Sequence, residues 1–246
     1  MRDGYTVKIC GVTNQRDRNL AALAGADYFG VVVETSYSPR SQTQNDAAAL
    51  MRDAPIPGIA LVYQPQLEWL QRMIDRVRPQ GIQFLSPVPL EWLNLLKSSF
   101  KLKLWQSVHL PAVEAVVALD ESRERQQLLE LARQGVDVIV VDTVAIINGV
   151  SRFGGTGKVA DWGQARRMVE LASRPVLLAG GINPDNVQTA LRQVNPAGID
   201  LCSGVERSVG QKDSEKMFRL IRLVRECERE EKGRRMHESI GGPRTQ

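Results

Sequence analysis

Eight short apolar segments, each followed by a polar or amphipathic stretch, constrain the fold of this chain more than any other feature. In order they read YTVKIC, DYFGVVV, GIALVY, GIQFL, KLKLWQSV, VDVIVVD, PVLLAG and GIDLCS. Several are almost continuously apolar, as expected of parallel strands that are covered on both faces. The alternation therefore predicts a parallel β-sheet with a helix after each strand.

The stretches between these segments carry helical patterning. Residues 67–77 repeat apolar side chains along one helical stripe, which predicts an amphipathic helix. A second helix is predicted over 184–194, with Pro184 in its first turn and Asn183 as its N-cap.

A strand followed by a helix, eight times in roughly 225 residues, is typical of a closed barrel. The sequence therefore predicts the α/β class and a single (β/α)8 TIM barrel over 1–230. An open doubly wound sheet is the alternative, but no G-x-G-x-x-G motif follows the first apolar segment. Residues 231–246 are charged, and we expect them to form a disordered C-terminal tail.

Composition excludes several classes of protein. The chain of 246 residues is 43% hydrophobic, enough for a sizeable core, yet no run of eighteen apolar residues predicts a membrane span. Its first residues lack the apolar core of a secretory signal. Three cysteines are an odd and sparse set, which argues against a disulfide framework and is typical of the reducing cytoplasm.

Charge gives no indication of a nucleic-acid partner. The net charge is +4, and the C-terminal region mixes both signs, as a solvated helix face or a frayed terminus does. Aromatic residues make up only 5% of the chain, so base stacking has little support.

In a (β/α)8 barrel the active site lies at the carboxyl ends of the strands. The seventh and eighth segments end in glycine-rich loops that contain Gly180, Gly181, Ser203 and Gly204. Glycine lets backbone N–H groups approach an anion closely, and these two loops often bind phosphate in barrels. They predict a phosphate site, although a tight turn alone would also explain the paired glycines.

Three side chains at other strand ends suit acid–base chemistry or substrate binding. Asp142 follows an apolar strand, where a raised pKa would suit a general acid, and a loop-capping aspartate is the alternative. Arg40 follows Pro39 and could bind a carboxylate through two parallel hydrogen bonds, or form a surface ion pair. Cys10 ends the first strand as either a proton acceptor or a buried structural thiol, and Cys202 fits the structural alternative better.

A glycine-rich stretch follows Asp142 and contains Gly154, Gly155, Gly157 and Lys158. It is predicted to be a lid over the ligand or a plain flexible connection.

Together these pieces resemble the phosphoribosylanthranilate isomerase family of tryptophan biosynthesis. The matching motifs are KICGVT, SPR, VVDT, GGTGKVADW, AGGINPDNV and GIDLCSGVERSVGQKD, which occur in family order from residue 8 to 213. The resemblance implies a single barrel that performs an Amadori rearrangement without metal or cofactor. It also implies a cytoplasmic monomer or homodimer whose partner is a small phosphorylated substrate, with neither nucleic acid nor membrane bound.

The resemblance assigns roles by position. It makes Cys10 the general base, Asp142 the general acid, and Arg40 the partner of the anthranilate carboxylate. The residues expected to bind the substrate phosphate are Gly155, Thr156, Gly180, Gly181, Ser203 and Gly204.

The fourth strand departs from the family pattern. The family has a motif close to VQLHG where this chain has IQFLSP, so Leu85 replaces a histidine and Ser86 replaces a glycine. His109 follows the fifth segment and could approach the site, although a simple loop role is the alternative. The departure leaves two alternative functions: an isomerase of another phosphorylated sugar amine, or a non-catalytic phosphosugar-binding paralogue.

Overall fold

The computed structural model of the protein describes residues 4–111, 121–147, 150–153 and 161–240. The strands are β1 (Thr6–Ile9), β2 (Tyr28–Val33), β3 (Ser41–Gln42), β4 (Gly58–Val62), β5 (Gly81–Phe84), β6 (Lys103–Pro111), β7 (Val138–Ile147), β8 (Val150–Phe153), β9 (Val176–Leu178), β10 (Gly198–Leu201), β11 (Glu206–Ser208) and β12 (Gln211–Lys212).

Eight of these strands form a closed parallel barrel in the order β1, β2, β4, β5, β6, β7, β9 and β10. The ring closes because β1 pairs in parallel with both β10 and β2. The predicted barrel is therefore confirmed, and the open sheet is excluded because no barrel strand is left as an edge.

A helix follows each barrel strand. The helices are α1 (Gln15–Ala24), α2 (Gln44–Met51), α3 (Leu67–Val77), α4 (Leu90–Ser99), α5 (Glu121–Arg133), α6 (Trp162–Leu171), α7 (Val187–Val194) and α8 (Ser214–Ile240), with a short 3₁₀ helix over Ser203–Val205. Within the described ranges, no helix is long and apolar enough to cross a membrane. Helix α8 continues past residue 231, where the sequence predicts the tail, and residues 241–246 lie outside the described part.

The start predicted for one helix is wrong. Helix α3 has the predicted bounds, but α7 begins at Val187 instead of residue 184. The side chain of Asn183 accepts a hydrogen bond from the Asp185 amide, and the side chain of Asn186 accepts one from the Asn183 amide, both at 2.9 Å. These bonds hold a turn before the helix, so Asn186 takes the N-cap position that was predicted for Asn183.

The alternation of side chains along the strands separates an outer core from inner clusters, one of which, with Cys10, Val32, Leu61 and Leu85, lies at the barrel mouth. The outer core lies between the barrel and its helices, and Ile9 and Leu201 belong to it. The other inner cluster fills the inside of the barrel with Ile59, Trp105, Val138, Val140, Leu177 and Ala179. Because the barrel interior is packed, we expect the ligand site at the mouth formed by the strand ends.

Candidate active site

A cavity opens at the carboxyl ends of the barrel strands. It brings together seven of the residues proposed from the sequence: Cys10, Arg40, Asp142, Gly180, Gly181, Ser203 and Gly204. Gly155 and Thr156, and the whole glycine-rich stretch from Gly154 to Lys158, lie outside the described residues. In the described part of the chain, no group of three or more His, Cys, Asp or Glu side chains could hold a metal ion.

The two loops proposed to bind phosphate pack against each other through their backbones. Gly180 and Gly181 have φ angles of 80° and 67°, in the left-handed region that favours glycine. A Cβ at Gly204 would lie 1.9 Å from the carbonyl oxygen of Ile182, so this position has no room for a side chain. The glycines thus do more than make a tight turn, because they bring peptide groups of two loops to the same end of the cavity.

Arg40 forms a buried ion pair with Glu206 across this end of the barrel. Its Nε donates to Oε1 at 2.7 Å and its Nη2 donates to Oε2 at 2.6 Å. The two side chains are 9% and 5% exposed, so the surface ion pair considered from the sequence is wrong. Two of the five guanidinium N–H groups are used here, and Arg40 also lines the cavity.

A second cation shares the same carboxylate. Lys212 Nζ lies 3.1 Å from Glu206 Oε1 and is buried. Burial opposes ionisation of Glu206, but hydrogen bonds from Arg40 and the charge of Lys212 lower the pKa of its carboxyl below the ordinary value. Arg40 and Lys212 are thus the two cations of this wall, with the Glu206 carboxylate and the Cys202 sulfur close to them.

A buried polar network lies inside the barrel beneath the cavity. Lys8 Nζ donates to Asp200 Oδ2 at 2.7 Å and to Gln83 Oε1 at 2.8 Å, and Gln83 Nε2 donates to Ser107 Oγ at 3.0 Å. Burial alone would lower the pKa of Lys8, yet the neighbouring Asp200 raises it, so Lys8 is a cation. Asp200 Oδ1 accepts no hydrogen bond from the described residues and belongs to a side chain that lines the cavity.

Cys10 and Cys202 interact with each other in the cavity. Hydrogen bonding with Cys202, followed by burial, raises the pKa of the Cys10 thiol well above its ordinary value, and the Lys8 charge opposes the shift. Hydrogen bonding with Cys10 lowers the pKa of Cys202 to about 6 against the effect of burial, with help from the charges of Lys212 and Arg40. The two thiols therefore form one ionising pair, which sequence reasoning treated as separate residues.

Asp142 lies on β7 opposite His109 of β6, in the wall facing this pair. Tyr37 is a neighbour of Asp142. Burial raises the pKa of the Tyr37 phenol, and the charges of Tyr63 and Asp142 raise it further. The rings of Tyr37 and Tyr63 meet edge to face with centroids 4.9 Å apart. Tyr37 lines the cavity, so it provides an aromatic surface there together with the proposed acid, and Tyr63 packs against its ring.

The unusual fourth strand end is part of the same wall. Leu85 lines the cavity, and its carbonyl oxygen lies 2.8 Å from Nε2 of His109. Ser86 Oγ accepts a hydrogen bond from the amide of Gln64 at 2.8 Å. Burial lowers the pKa of His109, so its imidazole is neutral at pH 7. His109 lies on β6 and not in a loop, so the simple loop role considered for it is wrong.

Sequence reasoning missed Lys8, Asp200, Glu206 and Lys212. A signal for the first two is present, because each puts a charge inside an otherwise apolar strand segment, where an unpaired charge is costly. Glu206 and Lys212 lie on the short strands β11 and β12. The sequence around them is polar, and charged residues are common in such stretches, so no local pattern indicates their burial.

Comparison with known proteins agrees with this geometry. The sequence model of the family described as N-(5'phosphoribosyl)anthranilate (PRA) isomerase matches residues 7–222. The N-(5'-phosphoribosyl)anthranilate isomerase of Methanosarcina acetivorans is 35% identical over 223 residues, which cover 89% of this chain and 92% of that protein.

Solved structures give the same result. The phosphoribosyl anthranilate isomerase of Thermococcus kodakaraensis has a TM-score of 0.73 at 31% identity, covering 90% of this chain and 99% of its own. An isomerase in complex with reduced 1-(o-carboxyphenylamino)-1-deoxyribulose 5-phosphate has a TM-score of 0.70 at 24% identity, with 90% and 99% covered, and so shares the fold. The chain belongs to the N-(5'-phosphoribosyl)anthranilate isomerase family.

Proposed function

We propose that this protein converts N-(5'-phosphoribosyl)anthranilate to 1-(2-carboxyphenylamino)-1-deoxyribulose 5-phosphate, an isomerase step of tryptophan biosynthesis. Family membership supports the activity. The observation that carries the residue assignment is the single cavity lined by Cys10, Asp142, Arg40 and the two glycine loops. It offers an acid, a base and two anion-binding ends, which are the groups that this rearrangement needs.

The two ends of the substrate have different partners. The phosphate lies against the backbone of Gly180, Gly181, Ser203 and Gly204, where close glycine packing brings peptide N–H groups to the cavity. The anthranilate carboxylate lies against Arg40, whose Nη1 keeps its N–H groups because Glu206 occupies Nε and Nη2. Glu206 holds the guanidinium in place, so little side-chain entropy is lost when the substrate binds.

The chemistry proceeds between the two ends. The Asp142 carboxyl donates a proton to the ribose ring oxygen, the bond from C1' to that oxygen breaks, and an iminium forms at C1'. The Cys10 thiolate then removes the proton from C2', which gives an enolamine. Protonation of C1' and loss of the C2' hydroxyl proton complete the ketone. Each step moves a proton, and no redox change occurs.

Lys8 and Cys202 have opposite effects on the ionisation of Cys10, the proposed base. The ammonium of Lys8 stabilises a negative charge on Cys10, whereas Cys202 opposes it. Cys202 carries the negative charge of the pair at neutral pH and accepts the Cys10 proton when Cys10 becomes the thiolate.

The compartment and the oligomeric state are a further part of this proposal. We propose that the protein works in the cytoplasm as a monomer or homodimer, on a small phosphorylated molecule. Three free thiols, two of them in the cavity, support a reducing compartment.

Two substrates test this function. Purified protein is incubated with N-(5'-phosphoribosyl)anthranilate and, separately, with the N-phosphoribosyl derivative of aniline, which lacks the carboxylate. We expect the anthranilate compound to be converted to the ketose, with kcat/KM higher by at least about tenfold because Arg40 pairs with its carboxylate. Equal values for the two compounds would remove Arg40 from substrate binding, and no ketose from either would contradict the function.

A further inference from the structure

Cys10 and Cys202 directly follow the ends of two paired strands, β1 and β10. Strands β1 and β10 are parallel with Lys8 opposite Asp200 and Ile9 opposite Leu201. The Cys10 amide donates to the Leu201 carbonyl at 2.7 Å, a bond that belongs to the Ile9–Leu201 pair. Cys10 and Cys202 are the next residues of the two chains, at the end of strands that are about 4.8 Å apart. Disulfides join Cα atoms about 4.4–6.8 Å apart, so this spacing permits one without movement of the strands.

Both thiols project to the same side. The side chains of Lys8 and Asp200 meet inside the barrel at 2.7 Å, and residues two positions further along a strand point the same way. Cys10 and Cys202 both line the cavity, as this alternation requires. A Cβ at Gly11 would lie 2.9 Å from Cys202 Sγ, and one at Gly30 would lie 3.2 Å from Cys10 Sγ, so glycines on both sides make room for the sulfur atoms.

The charges around the pair make the two sulfur atoms chemically different. Lys212 Nζ lies 3.9 Å from Cys202 Sγ and 3.2 Å from the Cys202 carbonyl oxygen. Hydrogen bonding with Cys10 and the charges of Lys212 and Arg40 lower the pKa of Cys202. The pKa of Cys10 is raised, so the pair ionises first at Cys202. A reactive thiolate beside a second thiol is the arrangement of an oxidisable pair with its resolving cysteine.

We propose that Cys10 and Cys202 are a modification site, where a hydroperoxide closes a disulfide and a dithiol reopens it. The Cys202 thiolate attacks the peroxide, the O–O bond breaks, and a sulfenic acid and hydroxide form. The Cys10 thiol then attacks this sulfur, its proton leaves with the hydroxyl group as water, and the S–S bond forms. Two electrons pass from the thiols to the peroxide, and a dithiol such as dithiothreitol returns them by exchange.

The consequence for activity rests on the proposed function, whereas the disulfide itself does not. A disulfide at Cys10 removes the proposed base from the site, so turnover stops until the bond is reduced. Oxidation would thus switch the enzyme off reversibly and protect Cys10 from irreversible sulfinic acid.

The test uses the full chain with Cys227→Ser, because Cys227 lies in α8 away from the cavity. Hydrogen peroxide is added, free thiols are then blocked with N-ethylmaleimide, and peptides are identified by mass spectrometry. We expect a peptide pair joined through Cys10 and Cys202, with turnover lost in step and recovered by dithiothreitol. The added Cys202→Ser change should abolish the joined pair and leave oxygen adducts on Cys10.

Oxygen adducts on Cys10 without the joined pair, at every peroxide concentration, would overturn the modification site. A joined pair with full turnover would support the site and instead contradict Cys10 as the base of the proposed function. The two failures are therefore distinguishable in one experiment.

Discussion

Arg40 and Glu206 are joined by two parallel hydrogen bonds of 2.7 and 2.6 Å in a buried wall of the cavity. The pair ties the loop after β2 to the segment after β10, which are 166 residues apart in the chain. It therefore holds the cavity-lining Arg40 in position and connects two segments at the barrel mouth. Lys212 completes the cluster from the other side of the carboxylate.

Removal of the Glu206 charge should destabilise the protein. Glu206→Gln leaves Arg40 and Lys212 as buried cations without their anion, so we expect the free energy of unfolding to fall by about 3–5 kcal/mol. Urea denaturation measures this change. The matched control is Glu170→Gln, which breaks an ion pair with Arg166 whose side chains are both 59% exposed and should cost less than about 1 kcal/mol. Equal effects of the two changes would contradict a structural role for the buried cluster.

A side chain at Gly204 should weaken phosphate binding. In Gly204→Ala the new Cβ would meet the Ile182 carbonyl at 1.9 Å, so the two loops proposed to bind phosphate must move apart. We expect KM for the substrate and the inhibition constant of inorganic phosphate both to rise by about tenfold or more, since displaced N–H groups lose their hydrogen bonds. Gly233→Ala in α8 is the control, because no atom lies within 4 Å of its Cβ. An unchanged phosphate constant in Gly204→Ala would move the anion site elsewhere.

The two cavity thiols should titrate in separate steps. Thiolate absorbance should rise near pH 6 as Cys202 ionises, and again above pH 9.0 as Cys10 ionises. The variant Cys202→Ser should lose the lower step and shift the Cys10 step to lower pH, because it removes the neighbour that raises the Cys10 pKa most. A Cys10 step that stays in place in Cys202→Ser would show that the thiols do not interact.

Loss of the proposed base should affect turnover more than folding. Cys10→Ser replaces the thiol with a hydroxyl that is far harder to ionise, so we expect kcat to fall by about 10²–10⁴-fold with the melting temperature nearly unchanged. The comparison variant is Cys227→Ser, at a buried thiol of α8 that does not line the cavity. A kcat for Cys10→Ser equal to that of Cys227→Ser would remove Cys10 from the mechanism.

Local patterns in the sequence were sufficient for the barrel and for much of its mouth. Apolar strands and amphipathic helices repeat with periods that any window reveals, and the barrel rule then places the strand ends together. Cys10, Asp142 and Gly180 were found in this way and line one cavity. The start of α7 was missed because asparagine suits an N-cap at either residue 183 or residue 186, and the hydrogen bonds that hold Asn183 in the preceding turn are visible only in the structure.

The electrostatics of the site depend on contacts between distant parts of the chain. Lys8 meets Asp200, Arg40 meets Glu206, and Cys10 meets Cys202, in each case between the first strands and the last. Barrel closure determines these pairs, and no local window contains both members of any of them. Barrel closure also brings Cys202 next to Cys10, the proposed base, and there it changes the pKa of Cys10.

The most direct measurement is the decay of substrate fluorescence with the wild type and with Asp142→Asn. The amide cannot donate the proton that opens the ribose ring, so we expect fast decay with the wild type and a rate lower by roughly 10²–10⁴-fold with the variant. Asp161→Asn, at the N-cap of α6, is the control and should match the wild type, since asparagine also caps a helix. Wild-type decay no faster than the uncatalysed rate would contradict the isomerase, and equal decay in Asp142→Asn would contradict its acid.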